Sequence, residues 1–258
     1  MILKVNRLEF LKKIKIVEKA INENKIRPII SYVYMETREN RLWFCGTNLE
    51  LTISTHMECD VIAEGKAVFQ HNLVEEYLKE IKDEEITLNI KEDVLTIETS
   101  DSASEFMLMN AEEFPKIQES ELEDNEFEFK LKKLDLADYF DKVKFSASMS
   151  SDNLSINCIR VEIENNKIKF ISTDTYRLTY LEHDYLDSDG TFKVSIPINT
   201  IDAMSKLLRN GNEEEIAFTQ KNKQLYFKLG NISIISRVID LPFPNYKYLL
   251  SYQFSFLF

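Results

Sequence analysis

The chain has 258 residues, is 44% hydrophobic and 29% charged, carries a net charge of -12, and contains only five glycines and five prolines. That length allows one large domain or two ordinary ones, and the composition excludes collagen-like, low-complexity and extended disordered chains. No apolar run reaches the roughly 18 residues of a membrane span, Met1–Lys4 does not open a secretory leader, and three scattered cysteines, Cys45, Cys59 and Cys158, suit a reducing cytoplasm.

In chain order, Ile2–Val5 reads as a short strand. Leu8, Leu11, Ile14, Val17 and Ile21 recur at helical spacing, which predicts an amphipathic helix over 7–22 with Lys12, Lys13, Lys15 and Lys19 on its outer surface. Strand-like runs follow at Ile29–Met35, Leu42–Cys45 and Leu49–Thr55, with Asn40 and Gly46 at turns. The pattern then restarts: strand Lys66–Phe69, helix Asn72–Lys82, and strands Glu85–Ile90, Val94–Thr99 and Glu105–Met109. A second half repeats the order. Helix Lys133–Phe145 precedes strands near Ser155–Glu164, Lys167–Ser172 and Arg177–Glu182. Strand Thr191–Ile196, helix Asn199–Arg209 and strands near Glu215–Thr219, Gln224–Lys228 and Ile232–Val238 complete it.

The two halves are copies. Arg41-Leu42-Trp43-Phe44-Cys45-Gly46-Thr47-Asn48 is answered 126 residues later by Lys167-Ile168-Lys169-Phe170-Ile171-Ser172-Thr173-Asp174, and Phe114-Pro115 by Phe243-Pro244. A fixed offset held this long marks a duplicated domain. We expect domains at 1–120 and 126–250, joined by the acidic stretch Gln118–Asn125 and followed by an atypical apolar tail at 251–258. Each domain is expected to hold two βαβββ rounds in an α+β architecture, with helices on one face of the sheets.

No active-site constellation emerges. His56, His71 and His183 have no metal-ligand spacing, no phosphate-cradling loop is present, and no cofactor is expected. The acidic runs Asp83-Glu84-Glu85 and Glu213-Glu214-Glu215 leave a metal-dependent enzyme as one alternative. The acidic balance repels nucleic acid at long range, so DNA contact requires basic residues gathered on one surface. Lys12, Lys15, Lys79, Lys142, Lys206 and Arg209 lie on the four predicted helices, and on one surface they would form a stripe that follows a phosphate backbone without reading sequence. Two further segments, Ser172–Leu178 and Ile239–Tyr246, combine apolar residues with turn formers, as structural loops or as the walls of a peptide-accepting groove.

At these residues the chain resembles the bacterial DNA polymerase III beta subunit, the sliding clamp. The strings that carry the likeness include Arg27-Pro28-Ile29-Ile30-Ser31, Gly46-Thr47-Asn48-Leu49-Glu50, Thr173-Asp174-Thr175-Tyr176-Arg177-Leu178, Val194-Ser195-Ile196-Pro197 and Phe243-Pro244-Asn245-Tyr246. The resemblance implies a non-catalytic DNA-clamp fold whose helices line an inner face around duplex DNA while sheets form the outer face. It implies the polymerase III alpha subunit and the clamp loader as partners, both bound through short linear motifs, together with self-association. The second-domain part of the family's motif groove maps onto Asn153, Ile156, Thr173, Thr175, Tyr176, Leu178, Pro244 and Leu249. Thr175 stands where the family usually has glycine, Tyr176 where histidine is common, and Asn153 at an often basic position. Family members carry three such domains. A chain that ends after two is expected to lose the ordinary dimeric closure, or to close as a trimer in the manner of the archaeal and eukaryotic clamps.

Overall fold

The computed structural model describes residues 1–116, 122, 126–150, 152–186 and 190–250. The expected tail at 251–258 and most of the connector 118–125 lie outside these. The chain forms two compact units: Met1–Lys133 with Lys206–Arg237, and Leu134–Ser205 with the chain from Val238 onward.

In the first unit, β1 (Ile2–Asn6) leads into α1 (Arg7–Val17). Asn6 caps the helix, its Oδ1 accepting from the Glu9 N–H at 3.0 Å, and Glu9 places negative charge in the first turn. Next come β2 (Val33–Arg38), β3 (Arg41–Thr47), β4 (Leu51–Glu58), β5 (Asp60–Ala63), β6 (Lys66–Phe69), α2 (His71–Glu80), β7 (Glu85–Lys91), β8 (Val94–Glu98) and β9 (Ala103–Met109). The short β5 is a strand that the sequence pattern does not predict. β10 (Phe129–Lys132) and three strands from the end of the second repeat, here numbered β15 (Glu215–Lys221), β16 (Gln224–Leu229) and β17 (Ile232–Arg237), complete one sheet of 13 strands. Its order is β10-β15-β16-β17-β4-β3-β2-β6-β9-β8-β7-β1-β5. The join at β17·β4 is antiparallel, with Ser233 opposite Ser54, so a strand of the second repeat extends the sheet of the first.

α1 lies on this sheet and buries Phe10, Leu11, Ile14 and Val17. Phe10 packs on Phe44 of β3 and Phe69 of β6, with ring centroids 5.5 and 6.4 Å away. Three expectations are corrected here. The helix stops at Val17 and tightens into a 3-10 turn at Glu18–Ala20 instead of running to residue 22. Gly46 lies inside β3, where the strand passes the helix end: a Cβ on it would stand 2.2 Å from the Val17 carbonyl oxygen. Lys13 is buried, because it sits between Phe10 and Val17 on the apolar stripe. The expected strand at Ile29 likewise begins later, since Pro28 starts a 3-10 turn through Ser31.

Where α1 ends, Glu18 meets Glu75 of α2, whose side chain is buried beside Lys79 at 3.3 Å. Burial, then the hydrogen bond and charge of Glu18, push the Glu75 carboxyl up to about 7 from an ordinary 4.5. The folded state therefore binds the Glu75 proton more tightly than the unfolded chain does. The stability this contributes is full below about pH 4.5 and is lost as pH rises through about 7. Glu75→Gln is expected to flatten that dependence and to raise stability at pH 8 by about 2 kcal/mol, read from urea unfolding at pH 5 and pH 8.

The second unit holds most of α3 (Lys133–Lys144) and a four-stranded antiparallel sheet. That sheet is built from β11 (Cys158–Glu164), β12 (Lys167–Thr173), β13 (Leu178–Asp184) and β14 (Phe192–Pro197), in the order β13-β12-β11-β14. Most of α4 (Ile198–Leu208) and a short α5 (Tyr246–Leu250), which the sequence pattern does not predict, complete it. Tyr139 and Phe140 of α3 pack on Phe170 of β12 at 5.2 and 6.0 Å. The repeat is legible element by element: Arg41–Thr47 recurs as Lys167–Thr173, and Arg7–Val17 as the body of Lys133–Lys144.

Candidate functional site

In the second unit, the turn between β12 and β13 is built around two side chains. Thr173 Oγ1 donates to the Arg177 carbonyl at 2.7 Å and accepts from the Thr175 N–H at 3.0 Å. Asp174 Oδ1 accepts from the N–H groups of Tyr176 and Arg177, both at 3.0 Å, and Oδ2 takes Arg177 Nε at 2.9 Å. The backbone bond from Arg177 leads the effects that hold the Asp174 carboxyl below its usual value. The tip is thereby presented to solvent, with Tyr176 96% exposed. The first repeat has the same wiring. Thr47 Oγ1 bonds the Leu51 carbonyl and the Leu49 N–H, each at 3.0 Å, while Asn48 Oδ1 takes the N–H groups of Glu50 and Leu51.

Both turns place a non-glycine residue in the left-handed region, Leu49 at φ 75° and Thr175 at φ 78°. For a β-branched side chain this conformation is strained by about 1–3 kcal/mol, partly offset by the unfolded-state entropy a glycine would add. Thr175→Gly is expected to stabilise the chain by about 1 kcal/mol, seen as a higher urea midpoint at unchanged slope.

The other residues expected in the groove lie on segments that hydrogen bonds and ring contacts tie to α3, β13 and the sheet. Arg177 lies over the exposed Phe145 ring at 5.4 Å, and Ser146 Oγ bonds Thr179 Oγ1 at 2.7 Å, tying the end of α3 to β13. Ser148 donates its N–H to the Ile156 carbonyl at 3.1 Å, and Asn157 Nδ2 donates to the Ser148 carbonyl at 2.6 Å. Ile156 donates its own N–H to the Asn153 carbonyl, so Asn153 and Ile156 share a turn fastened to that same segment. Ile156 and Thr173 are buried supports, Leu178 is half-buried, and Asn153, Thr175 and Tyr176 are exposed. Pro244 and Leu249 flank Tyr246, whose ring lies 6.0 Å from Tyr180 of β13 and whose hydroxyl donates to the buried Glu162 at 2.9 Å. That anchor leaves Pro244 and Leu249 exposed. Phe145 and Arg177, stacked on one another beside the turn, are absent from the expected groove residues, although Arg177 lies in a string that carries the family likeness.

In the first unit, a cavity of about 600 Å³ is lined by Lys12, Lys13, Lys15, Lys19 and Lys206 over an apolar floor that includes Leu11 and Leu207. Burial pushes the Lys13 ammonium below its ordinary pKa even with Glu9 nearby. One side of the cavity is fixed by the buried Lys133, which donates to the carbonyls of Asn210 and Gly211 at 2.9 and 2.7 Å and lies 3.9 Å from Glu213. Of the six cations expected to face DNA, Lys12, Lys15 and Lys206 converge here. Arg209 is exposed just beyond α4, Lys79 is paired with Glu75 on α2, and Lys142 is exposed on α3 in the other unit.

A family profile described as the N-terminal domain of the DNA polymerase III beta subunit matches residues 1–118, and the central-domain profile of the same subunit matches residues 130–245. The chain belongs to the DNA polymerase III beta subunit family. Among curated relatives, the beta sliding clamp of Treponema pallidum is 27% identical over 242 residues, covering 92% of this chain and 64% of the relative. That of Mycoplasma capricolum is 23% identical over 248 residues, covering 93% and 65%. This beta-subunit chain thus spans just under two thirds of the length of those relatives. The solved beta subunit of Thermotoga maritima superposes with a TM-score of 0.86 at 22% identity, covering 96% of this chain and 67% of that one. The Bacillus subtilis sliding clamp gives 0.88 at 18%, covering 96% and 67%. The α+β DNA-clamp fold is shared with both.

The acidic runs of this beta-subunit chain hold its own frame together. Asp83 accepts the Ser100 N–H at 3.0 Å, its carbonyl takes Arg7 Nε at 2.7 Å, and Glu213 faces Lys133. Among the described residues no group of three His, Cys, Asp or Glu is placed to hold a metal ion. No described helix is long and apolar enough to cross a membrane. Burial pushes the thiols of Cys59 and Cys158 up to about 11, which lowers their reactivity.

Proposed function

We propose that this chain is a sliding clamp: it lies around duplex DNA without reading sequence and tethers the replicative polymerase, with no chemistry of its own. The observation that carries the reading is the match of two consecutive beta-subunit domains in their family order. On this reading the domains are 1–120 and 126–250, helices face the DNA and sheets face outward. The cavity lysines meet phosphates, which gives affinity without base preference. The surface around Asn153, Ile156, Thr173, Thr175, Tyr176, Leu178, Pro244 and Leu249 accepts short linear motifs of the polymerase alpha subunit and the clamp loader. Holding a polymerase this way raises its effective concentration at the primer end, so processivity rises with no new catalytic interaction. The protein works in the cytoplasm, as part of a homo-oligomer.

The exposed Tyr176 ring and the half-buried Leu178 provide the apolar area a motif would cover. Tyr176→Ala and Leu178→Ala are each expected to weaken binding of a fluorescent polymerase-motif peptide about tenfold, with the far-ultraviolet circular dichroism unchanged. Peptide binding that ignores both substitutions would overturn the groove assignment.

A further inference from the structure

We propose that the lysine-lined cavity of the first unit is a socket for a short polyphosphate chain, such as that of a nucleoside triphosphate, and that a chain seated there competes with DNA. The competition rests on the clamp reading; the socket itself does not.

The chain has 44 acidic and 32 basic side chains, so lysines gathered without carboxylates call for a reason. Elsewhere lysines take partners, as Lys66 does with Glu112, Lys167 with Asp184 and Lys221 with Glu126. In the cavity, Lys19 is paired with Glu18. Lys12, Lys13, Lys15 and Lys206 have no described carboxylate within ion-pair distance. Glu213 lines the same cavity, but its carboxylate lies 3.9 Å from Lys133.

Lys13 separates a built socket from a merely basic surface. It is 5% exposed, makes no side-chain hydrogen bond or ion pair with any described residue, and lines the cavity together with the exposed Lys12 and Lys15. Burial is the largest influence on its ammonium; Glu9 offsets part of it, and Lys12 adds like-charge repulsion. A buried cation without a partner is costly, and an anion in the cavity removes that cost by pairing with it.

Charge and shape set the ligand class. A nucleoside triphosphate carries roughly four negative charges at neutral pH, since its terminal phosphate is close to doubly ionised. That matches the unpaired ammonium groups of Lys12, Lys13, Lys15 and Lys206. A volume of about 600 Å³ suits a small ligand. The exposed Leu8 and the half-buried Ile16 offer apolar surface to a nucleobase, whereas a bare inorganic chain would use the lysines alone. A duplex draws on the same ammonium groups, so the two ligands exclude one another.

Isothermal titration calorimetry of the full chain with sodium triphosphate and with ATP, at fixed ionic strength and without divalent cations, tests the socket. Saturable one-to-one binding is expected. Lys13→Met keeps an apolar stem and removes the charge, and is expected to weaken binding about tenfold with a Tm no lower than that of the unmodified chain. Lys206→Met, at an exposed position, is expected to weaken it too without touching the packing around Lys13. Tighter binding of ATP than of triphosphate assigns the socket to nucleotides, and equal binding assigns it to the inorganic chain. Saturating triphosphate is expected to raise the Kd for a duplex about tenfold in fluorescence anisotropy, against a control brought to the same ionic strength with NaCl. No saturable binding of either probe, or binding unchanged in either variant, would overturn the proposal. Triphosphate that binds yet leaves the duplex Kd unchanged would overturn the competition and count against the clamp reading of this cavity, so the two failures are distinguishable.

Discussion

Gly46→Ala is expected to destabilise the protein by about 3 kcal/mol, lowering Tm by roughly 10 °C. The new Cβ would lie 2.2 Å from the Val17 carbonyl oxygen and 3.0 Å from Ile21 Cγ1. The oxygen belongs to the end of α1, so no rotamer change relieves the clash. Either β3 retreats from the helix or the 3-10 turn at Glu18–Ala20 opens, and both expose Phe10 and Phe44. Gly65→Ala is the milder comparison, because its Cβ would meet the side chain of Met1 at 2.7 Å, at the chain end. Thermal unfolding of the two variants checks the argument, and equal losses would contradict it.

Reversing the charge of Lys12, Lys15 and Lys206 together, each to glutamate, is expected to reduce association with a long duplex at least a hundredfold at low salt. Each phosphate that the variant no longer neutralises takes about 0.9 from the slope of log affinity against log salt, so three lower its magnitude by roughly 3. The effect should be the same on duplexes of unrelated sequence, since no base readout is involved. Lys79→Glu should have less effect, because that ammonium is already paired with Glu75. Fluorescence anisotropy over a salt series reads both slope and affinity. An unchanged slope in the triple variant would show that the cavity does not face DNA.

The parts of the fold legible in the sequence are those set by local period. Leu8, Leu11, Ile14 and Val17 announce α1, and alternating or apolar runs bounded by Asn, Asp or Gly announce the hairpins. The duplication carries over to single hydrogen bonds, as the twin turns at Thr47–Leu51 and Thr173–Arg177 show. What could not be read depends on close approach or on distant pairing. Gly46 resembles a turn residue because glycine serves turns and tight approaches equally, and only the packed helix end tells them apart. The burial of Lys13 is legible in principle: it is three residues from Phe10 and four from Val17 and so falls on the apolar stripe, but its charge argues for solvent. The β17·β4 joint has no local signal at all, since nothing in either strand specifies its partner. Of the candidate sites, the groove positions come from the family likeness, whereas the convergence of Lys12, Lys15 and Lys206 requires the structure.

The β17·β4 joint also bears on the order in which the protein can be made. Leu51–Glu58 waits for Ile232–Arg237 before its outer edge is satisfied. The sheet begun by the first strands off the ribosome thus stays unfinished until these much later residues have been synthesised. Pairing across such a separation is slow to form, and the waiting edge is sticky in the meantime. Until Ile232–Arg237 emerge, the outer edge of Leu51–Glu58 is therefore open to wrong pairing.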